Sequence, residues 1–339
     1  MALLFADGFD SYTTLLDKWD SRVGNGTIDI SASYGRMAGS SGLRIQHHSE
    51  GVSKSLGVQA STLIAGFAFK VPSVLSYACA MCSFSDAGTR QIGLWISSDL
   101  STIAWDRNGT NLVSIAYPFS AALWYYIEAK VVFSSTVGRI ITKINNVEVD
   151  DTSSLDTANT ANNYGTAFVL GSTSTGTYDQ DRYFDDVYVC DTVGSYCNDF
   201  LNDRWIETIY PTGAGTTTQW SPSAGANWDC VEEHPPTTTE YVETGVLNEI
   251  DTYACGNLTS TSGDVAAVVI NHHSAKTTAG SRKVSGAIYS DTDSDVGTEN
   301  DLSTTYHNYQ SVSYLDPHTA AAWTIAGVNA AEFGVKLTT

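Results

Sequence analysis

WYYIEAKVVF, residues 124–133, is the run whose reading decides the fold. Tyr125, Ile127, Ala129, Val131 and Phe133 fall on one face, and Trp124, Tyr126, Glu128 and Lys130 on the other. Successive side chains of extended backbone leave on opposite sides, so this period of two predicts a half-buried β-strand. Residues 139–144 repeat the alternation with Ile140, Thr142 and Ile144 inward. Asn145-Asn146 then supplies two residues suited to the positive φ angles of a tight hairpin turn. A β-meander is expected here.

Working outward, short strands are predicted at 3–5, 27–30, 42–46 and 63–69, each bounded by Gly, Ser or Asn clusters that favour turns. Residues 151–177 read as a long surface loop, interrupted by the apolar run 166–170, that leads into one more strand. YFDDVYV, 183–189, reads as the closing strand of a first sandwich. The chain then changes pattern. Pro211, Gly213, Gly215, Pro222 and Gly225 punctuate it, and Trp205, Trp220 and Trp228 are suited to pinning irregular backbone to a core. Further strands are predicted at 265–270, 282–289, 306–314 and 333–337, with one short helical turn at 326–331. The expectation is an all-β protein of two domains, a β-sandwich at 1–195 followed by a second, smaller β-sandwich at 196–339.

Composition agrees with short strands and tight turns, since only 16% of the 339 residues are charged. A net charge of −20 repels phosphates and anionic headgroups, which excludes nucleic acid and membrane insertion as expected partners. The opening residues show no basic segment followed by an apolar run, so secretion is not expected. On that reading the six cysteines are free thiols, and the sequons at Asn25, Asn108 and Asn257 are fortuitous. Cys79 and Cys82, three apart in a strand-like run, are expected on opposite faces, which argues against a redox or zinc pair.

Motifs that suggest chemistry are incomplete. Glu148-Val149-Asp150-Asp151 lacks the second Glu that a retaining glycosidase needs on one strand face, so Glu148 reads as the exposed side of a hairpin. Asp291, Asp293 and Asp295 start like a calcium loop, but Gly297 is one place late and Leu302 stands where a bidentate Glu is required. His47-His48 and His272-His273 are adjacent pairs, which diverge on strands. Trp95, Trp105, Trp124 and Tyr126 are of the type that stack on sugar faces and form the candidate ligand-binding set.

DGFDSY at 7–12, WYYIEAKV at 124–131, GRIITKINN at 138–146 and FDDVYV at 184–189 together resemble the concanavalin A-like lectin and glucanase fold, also called laminin G-like, and the resemblance implies that the first sandwich is a jelly roll. The resemblance implies a cation, calcium by its oxygen donors, between the first turn and the last strand, at Asp7, Gly8 and Asp185; otherwise no cofactor is expected. Residues 200–233 and 321–337 resemble a module of tailed-bacteriophage virion proteins. That second resemblance implies a non-enzymatic structural component of a tail, fibre or capsid decoration, made in the host cytoplasm and carried on the virion. Its expected partners are other virion proteins and copies of itself, a trimer being one arrangement. A carbohydrate-binding adhesin for a host surface glycan and an atypical glycan hydrolase are the alternatives.

Overall fold

A computed structural model describes residues 2–24, 26–48, 50–172 and 179–339; the Asn25 sequon and the end of the loop predicted to 177 lie outside the described residues. The protein is all-β, with one short α-helix, Ile325–Ala330, among the described residues. It divides into two compact units, Met1–Ile206 and Glu207–Thr339.

The first unit holds two antiparallel sheets. One runs Val147–Leu155, Gly138–Ile144, Tyr125–Val132, Thr62–Lys70, Asp179–Cys190, Gly42–His47, Ile28–Ser31, with Leu3–Asp7 also paired to Asp179–Cys190. The other runs Thr110–Ala116, Thr102–Arg107, Thr89–Ile96, Cys79–Asp86, Gly165–Gly171, Gly51–Ala60, Ser21–Val23. Apolar residues from both, including Leu63, Phe67, Phe84, Ile127, Val131, Phe168 and Phe184, share one core. The meander is where the alternation places it: Ile127 faces Ile144 and Val131 faces Ile140, and the turn residues Asn145 and Asn146 have φ of 50° and 68°. The start of the predicted loop, 151–155, is ladder instead, the end of strand Val147–Leu155, and the apolar run 166–170 lies in strand Gly165–Gly171.

Two departures have plain physical causes. The strand Tyr125–Val132 is buried on both faces, because Tyr188 and residues 198–206 cover its second side. Glu128 accepts the Tyr188 hydroxyl at 2.5 Å and the Asn202 amide at 2.8 Å, and the Tyr126 hydroxyl donates to the Asp186 carbonyl at 3.1 Å. The Tyr188 ring can lie there because residue 66 is glycine; a Cβ at Gly66 would sit 2.1 Å from it. Cys79 and Cys82, expected on opposite faces, both enter the core, since a bulge between Ala80 and Cys82 advances the pleat by one residue. Burial raises both thiols, Cys79 to about 11. The six cysteines are not joined to one another in disulfides among the described residues.

The second unit is built on a five-stranded antiparallel sheet, Pro211–Thr218, Ile250–Cys255, Glu332–Leu337, Lys283–Ser290, Asp293–Asp301. A two-stranded ladder, Val268–Ser274 with His307–Ser313, packs over it: Ile270 and Ser311 lie against Gly286, where a Cβ would meet both below 3 Å. Ile270, Ile288, Trp323, Val328 and Phe333 form its core, and Trp220 packs against a lesser cluster of Val284, Leu302 and Leu337. The acidic run beginning at Asp291 turns there, with φ of 53°, and continues as an exposed edge strand.

The first turn of the first unit is fixed by one buried carboxylate. Asp7 accepts the Phe9 amide at 3.0 Å, the Tyr12 hydroxyl at 2.5 Å, the Lys18 ammonium at 2.9 Å and the Trp19 indole N–H at 2.8 Å. Removing it strands a buried cation and three donors. Asp7→Ala is therefore expected to destabilise the first unit by about 3–5 kcal/mol, a loss readable as a shifted urea midpoint; an unshifted midpoint would show that the hub does not hold the turn.

Candidate functional site

The half of the eight-stranded sheet's outer face that residues 198–206 leave open carries a line of side chains set by strand register. Asp29 is opposite Arg44, Arg44 opposite Tyr183, and Tyr183 opposite Lys70. Because Tyr125 pairs with Phe69, Trp124 stands next to Lys70 at the following position. Each is partly exposed. Tyr34 reaches over from the loop after Ile28–Ser31 and stacks on Tyr183, with centroids 5.2 Å apart and planes at 29°.

Charges interleave with these rings. The Arg44 guanidinium lies 5.2 Å from the Tyr34 ring, bonds Asp29 at 2.9 Å and approaches Asp181 at 3.8 Å. The Asp29 hydrogen bond raises the Arg44 pKa further, while burial raises Tyr34 and Tyr183 above the ordinary phenol value. Tyr34 donates to Asp29 at 3.3 Å and Tyr183 to Asp181 at 3.4 Å. Lys70 differs from the neighbouring cation. Its ammonium sits 4.5 Å from the Trp124 ring and 5.0 Å from the Tyr183 ring, with no carboxylate in ion-pair reach among the described residues. Burial lowers its pKa, because a desolvated ammonium without a counter-charge is disfavoured. Beside the line, Gln46, Pro72, Ser76 and Asp181 help to wall a polar cleft of about 230 Å³.

Of the four aromatic residues singled out in the sequence, Trp124 belongs to this line. Trp105 is fully buried and bonds Thr142 at 2.9 Å, and Tyr126 is 1% exposed, so neither presents a ring to a ligand. Trp95 is half-buried on the other sheet, where Asp106 takes its indole N–H at 2.7 Å and Arg90 lies over its ring. Sequence reasoning missed Tyr34, Arg44, Lys70 and Tyr183, which only the long-range register brings together. Glu148 is exposed on the edge strand Val147–Leu155. His47 lies between Glu50 and Asp179, 3.0 Å from each, whereas His272 is buried against Tyr309.

The calcium site expected at Asp7, Gly8 and Asp185 does not fit the side chains. Asp7 is already neutralised by Lys18, Gly8 packs against Ile206, and the Asp185 carboxylate accepts the Arg36 and Asp186 amides at 2.7 and 2.8 Å. No group of three His, Cys, Asp or Glu able to hold a metal gathers among the described residues. What stands near the first turn is an acid pair. Burial pushes Asp185 up to about 8 with help from the adjacent Asp186. Asp186 is also raised by burial, though less, since the Ile206 amide and Arg36 favour its charged form. Asp186 is itself in the left-handed region, φ 51°, at a bulge in the last strand.

No protein family and no curated protein matches this sequence. Solved structures similar to it include a cellulose-induced protein, Cip1, at 10% identity, covering 51% of this chain and 91% of that one, TM-score 0.39. An alginate lyase variant in complex with an alginate tetrasaccharide matches at 13% identity, 55% and 95% coverage, TM-score 0.39. The catalytic domain of a glycoside hydrolase family 131 protein from Coprinopsis cinerea matches at 16% identity, 49% and 80% coverage, TM-score 0.31. These neighbours are carbohydrate-related proteins and not virion components. Against these names, the expectation of a non-enzymatic phage structural protein, drawn from 200–233 and 321–337, is withdrawn. At such identities and TM-scores no residue role passes from them to this chain.

The acid pair makes a pH prediction. A carboxyl whose folded pKa lies above its unfolded value holds its proton longer in the folded state, so stability falls as pH rises from the ordinary carboxylate range to about 8. Melts at pH 5, 6, 7 and 8 should show Asp185→Asn gaining on the wild type with rising pH, by at most about 1.4 kcal/mol per unit for one linked proton. Parallel profiles for the two proteins would remove Asp185 as the source.

Proposed function

We propose that the first unit is a concanavalin A-like jelly roll that binds a glycan along the open half of its eight-stranded sheet and acts on it there. The observation that carries this reading is the line Arg44, Tyr183, Lys70, Trp124 with Tyr34 stacked above it. Half-exposed rings, held flat by neighbouring cations and by one another, offer apolar faces to the C–H faces of sugars, while the charged groups between them supply hydrogen bonds to hydroxyls. The adjoining polar cleft extends the same surface. The calcium expected for this fold has no role in the reading.

Cleavage of the bound glycan is favoured by a specific observation: Asp29 and Asp181 approach Arg44 from two strands, which places two carboxylates beside the aromatic line. Glycoside hydrolysis needs two such groups, one to protonate the leaving oxygen and one to activate water or attack the anomeric carbon. Glu148, solitary and exposed, has no place in it.

Binding to a panel of polysaccharides, followed by affinity electrophoresis, tests the first statement. Trp124→Ala and Tyr183→Ala are each expected to weaken retardation roughly threefold to tenfold, the value of one aromatic contact. For cleavage, release of reducing ends should fall by about a hundredfold or more in Asp181→Asn and stay at the wild-type rate in Glu148→Gln. Retardation by no glycan would defeat the binding reading, and activity untouched by Asp181→Asn would defeat the assignment of the acids.

A further inference from the structure

Lys70 is the feature of this face that its surroundings do not use. In the first unit the ammonium or guanidinium groups of Lys18, Arg36, Arg44, Lys54, Arg90, Lys130 and Arg139 each sit within 3.3 Å of an Asp oxygen. Lys70 has two aromatic rings in place of a carboxylate, in a chain whose net charge of −20 makes carboxylates plentiful. The rings stabilise the cation through their electron-rich faces, but they leave its N–H donors without a charged acceptor. Those donors border the open side of the sheet, since Lys70, Trp124 and Tyr183 are all partly exposed.

We infer that Lys70 is the recognition point for a negatively charged sugar, so that the glycan taken by this face is an acidic one bearing carboxylate or sulfate groups. The inference rests on the glycan reading above and narrows it. An anionic substituent on a ring stacked against Trp124 or Tyr183 would meet the ammonium at hydrogen-bond distance, and a charge-assisted bond in a half-desolvated site is stronger than its neutral counterpart. Arg44 cannot serve in the same way, being committed to Asp29 and Asp181. The negative charge of the whole chain does not prevent this. At physiological salt the screening length is about 8 Å, so distant carboxylates are damped while a direct contact is not.

The measurement is calorimetric titration of the full chain with three tetrasaccharides of equal length: an oligogalacturonate, a sulfated gluco-oligosaccharide and the neutral gluco-oligosaccharide. The wild type is expected to bind at least one charged oligomer ten or more times more tightly than the neutral one, and whichever charged oligomer leads identifies carboxylate or sulfate. Lys70→Gln should bring the charged-to-neutral ratio close to one, while Lys70→Arg should keep most of it; thermal melts establish that both variants are folded. A wild type without preference, or a Lys70→Gln protein that keeps the preference, overturns the inference and leaves glycan binding standing. A wild type that binds none of the three overturns the glycan reading and this inference with it.

Discussion

Two buried carboxyl groups decide which part of the first unit is surface. Glu128 takes the Asn202 amide and Asp186 takes the Ile206 amide, each at 2.8 Å, and together they hold residues 202–206 on the outside of the eight-stranded sheet. Arg36 adds to this tie by spanning Asp186 and Asp203. Burying carboxyls is costly, and the raised pKa of Glu128, Asp185 and Asp186 is the measure of it. The amide and hydroxyl donors that converge on them offset part of that cost. The covered half of the sheet becomes a second packed layer, with the Tyr188 ring against Gly66. The other half stays in solvent with its aromatic residues in place.

The open half is braced by its own side chains. Asp29, Arg44, Tyr183 and Lys70 leave four neighbouring strands, Trp124 stands just before a fifth and Tyr34 comes from a loop, and the rings are held by stacking and by cations. Side chains braced in this way before a ligand arrives lose less rotamer freedom on binding. The same bracing explains why Lys70 can remain without a carboxylate: two aromatic faces partly replace the water it gave up.

The meander at 125–144 and its Asn145-Asn146 turn are readable from the sequence because they depend on local alternation and local φ. Period two states which residues share a face, but it is silent on whether that face is covered. Tyr126 and Glu128 read as a solvent side and are buried because residues far along the chain fold over them. Cys79 and Cys82 fail for a related reason, since one bulge reverses the phase of the pleat. Asp293–Asp301 has Val296 as its one large apolar residue and so lacks a strand signal, yet it pairs at a sheet edge where its side chains stay largely exposed. Of the candidate site, Trp124 alone was in view. Asp29, Arg44, Lys70 and Tyr183 come from four segments up to 154 positions apart, and nothing local marks them as neighbours.

The extent of that line bears on the size of ligand it suits. It crosses five strands from Asp29 to Trp124, and adjacent strands lie about 4.8 Å apart, so it spans about 19 Å. A single sugar would cover only part of it, whereas an extended oligosaccharide could lie across the strands and meet each group in turn. The groups are not uniform along that length. Carboxylates gather toward the Arg44 end, and the indole with the unpaired ammonium forms the other. A chain lying on this face would thus have a polarity, its direction set by which end seeks an anion and which end offers two acids. Binding at the Trp124 and Lys70 end would then position the polymer, and any bond broken would be the one that reaches Asp29 and Asp181.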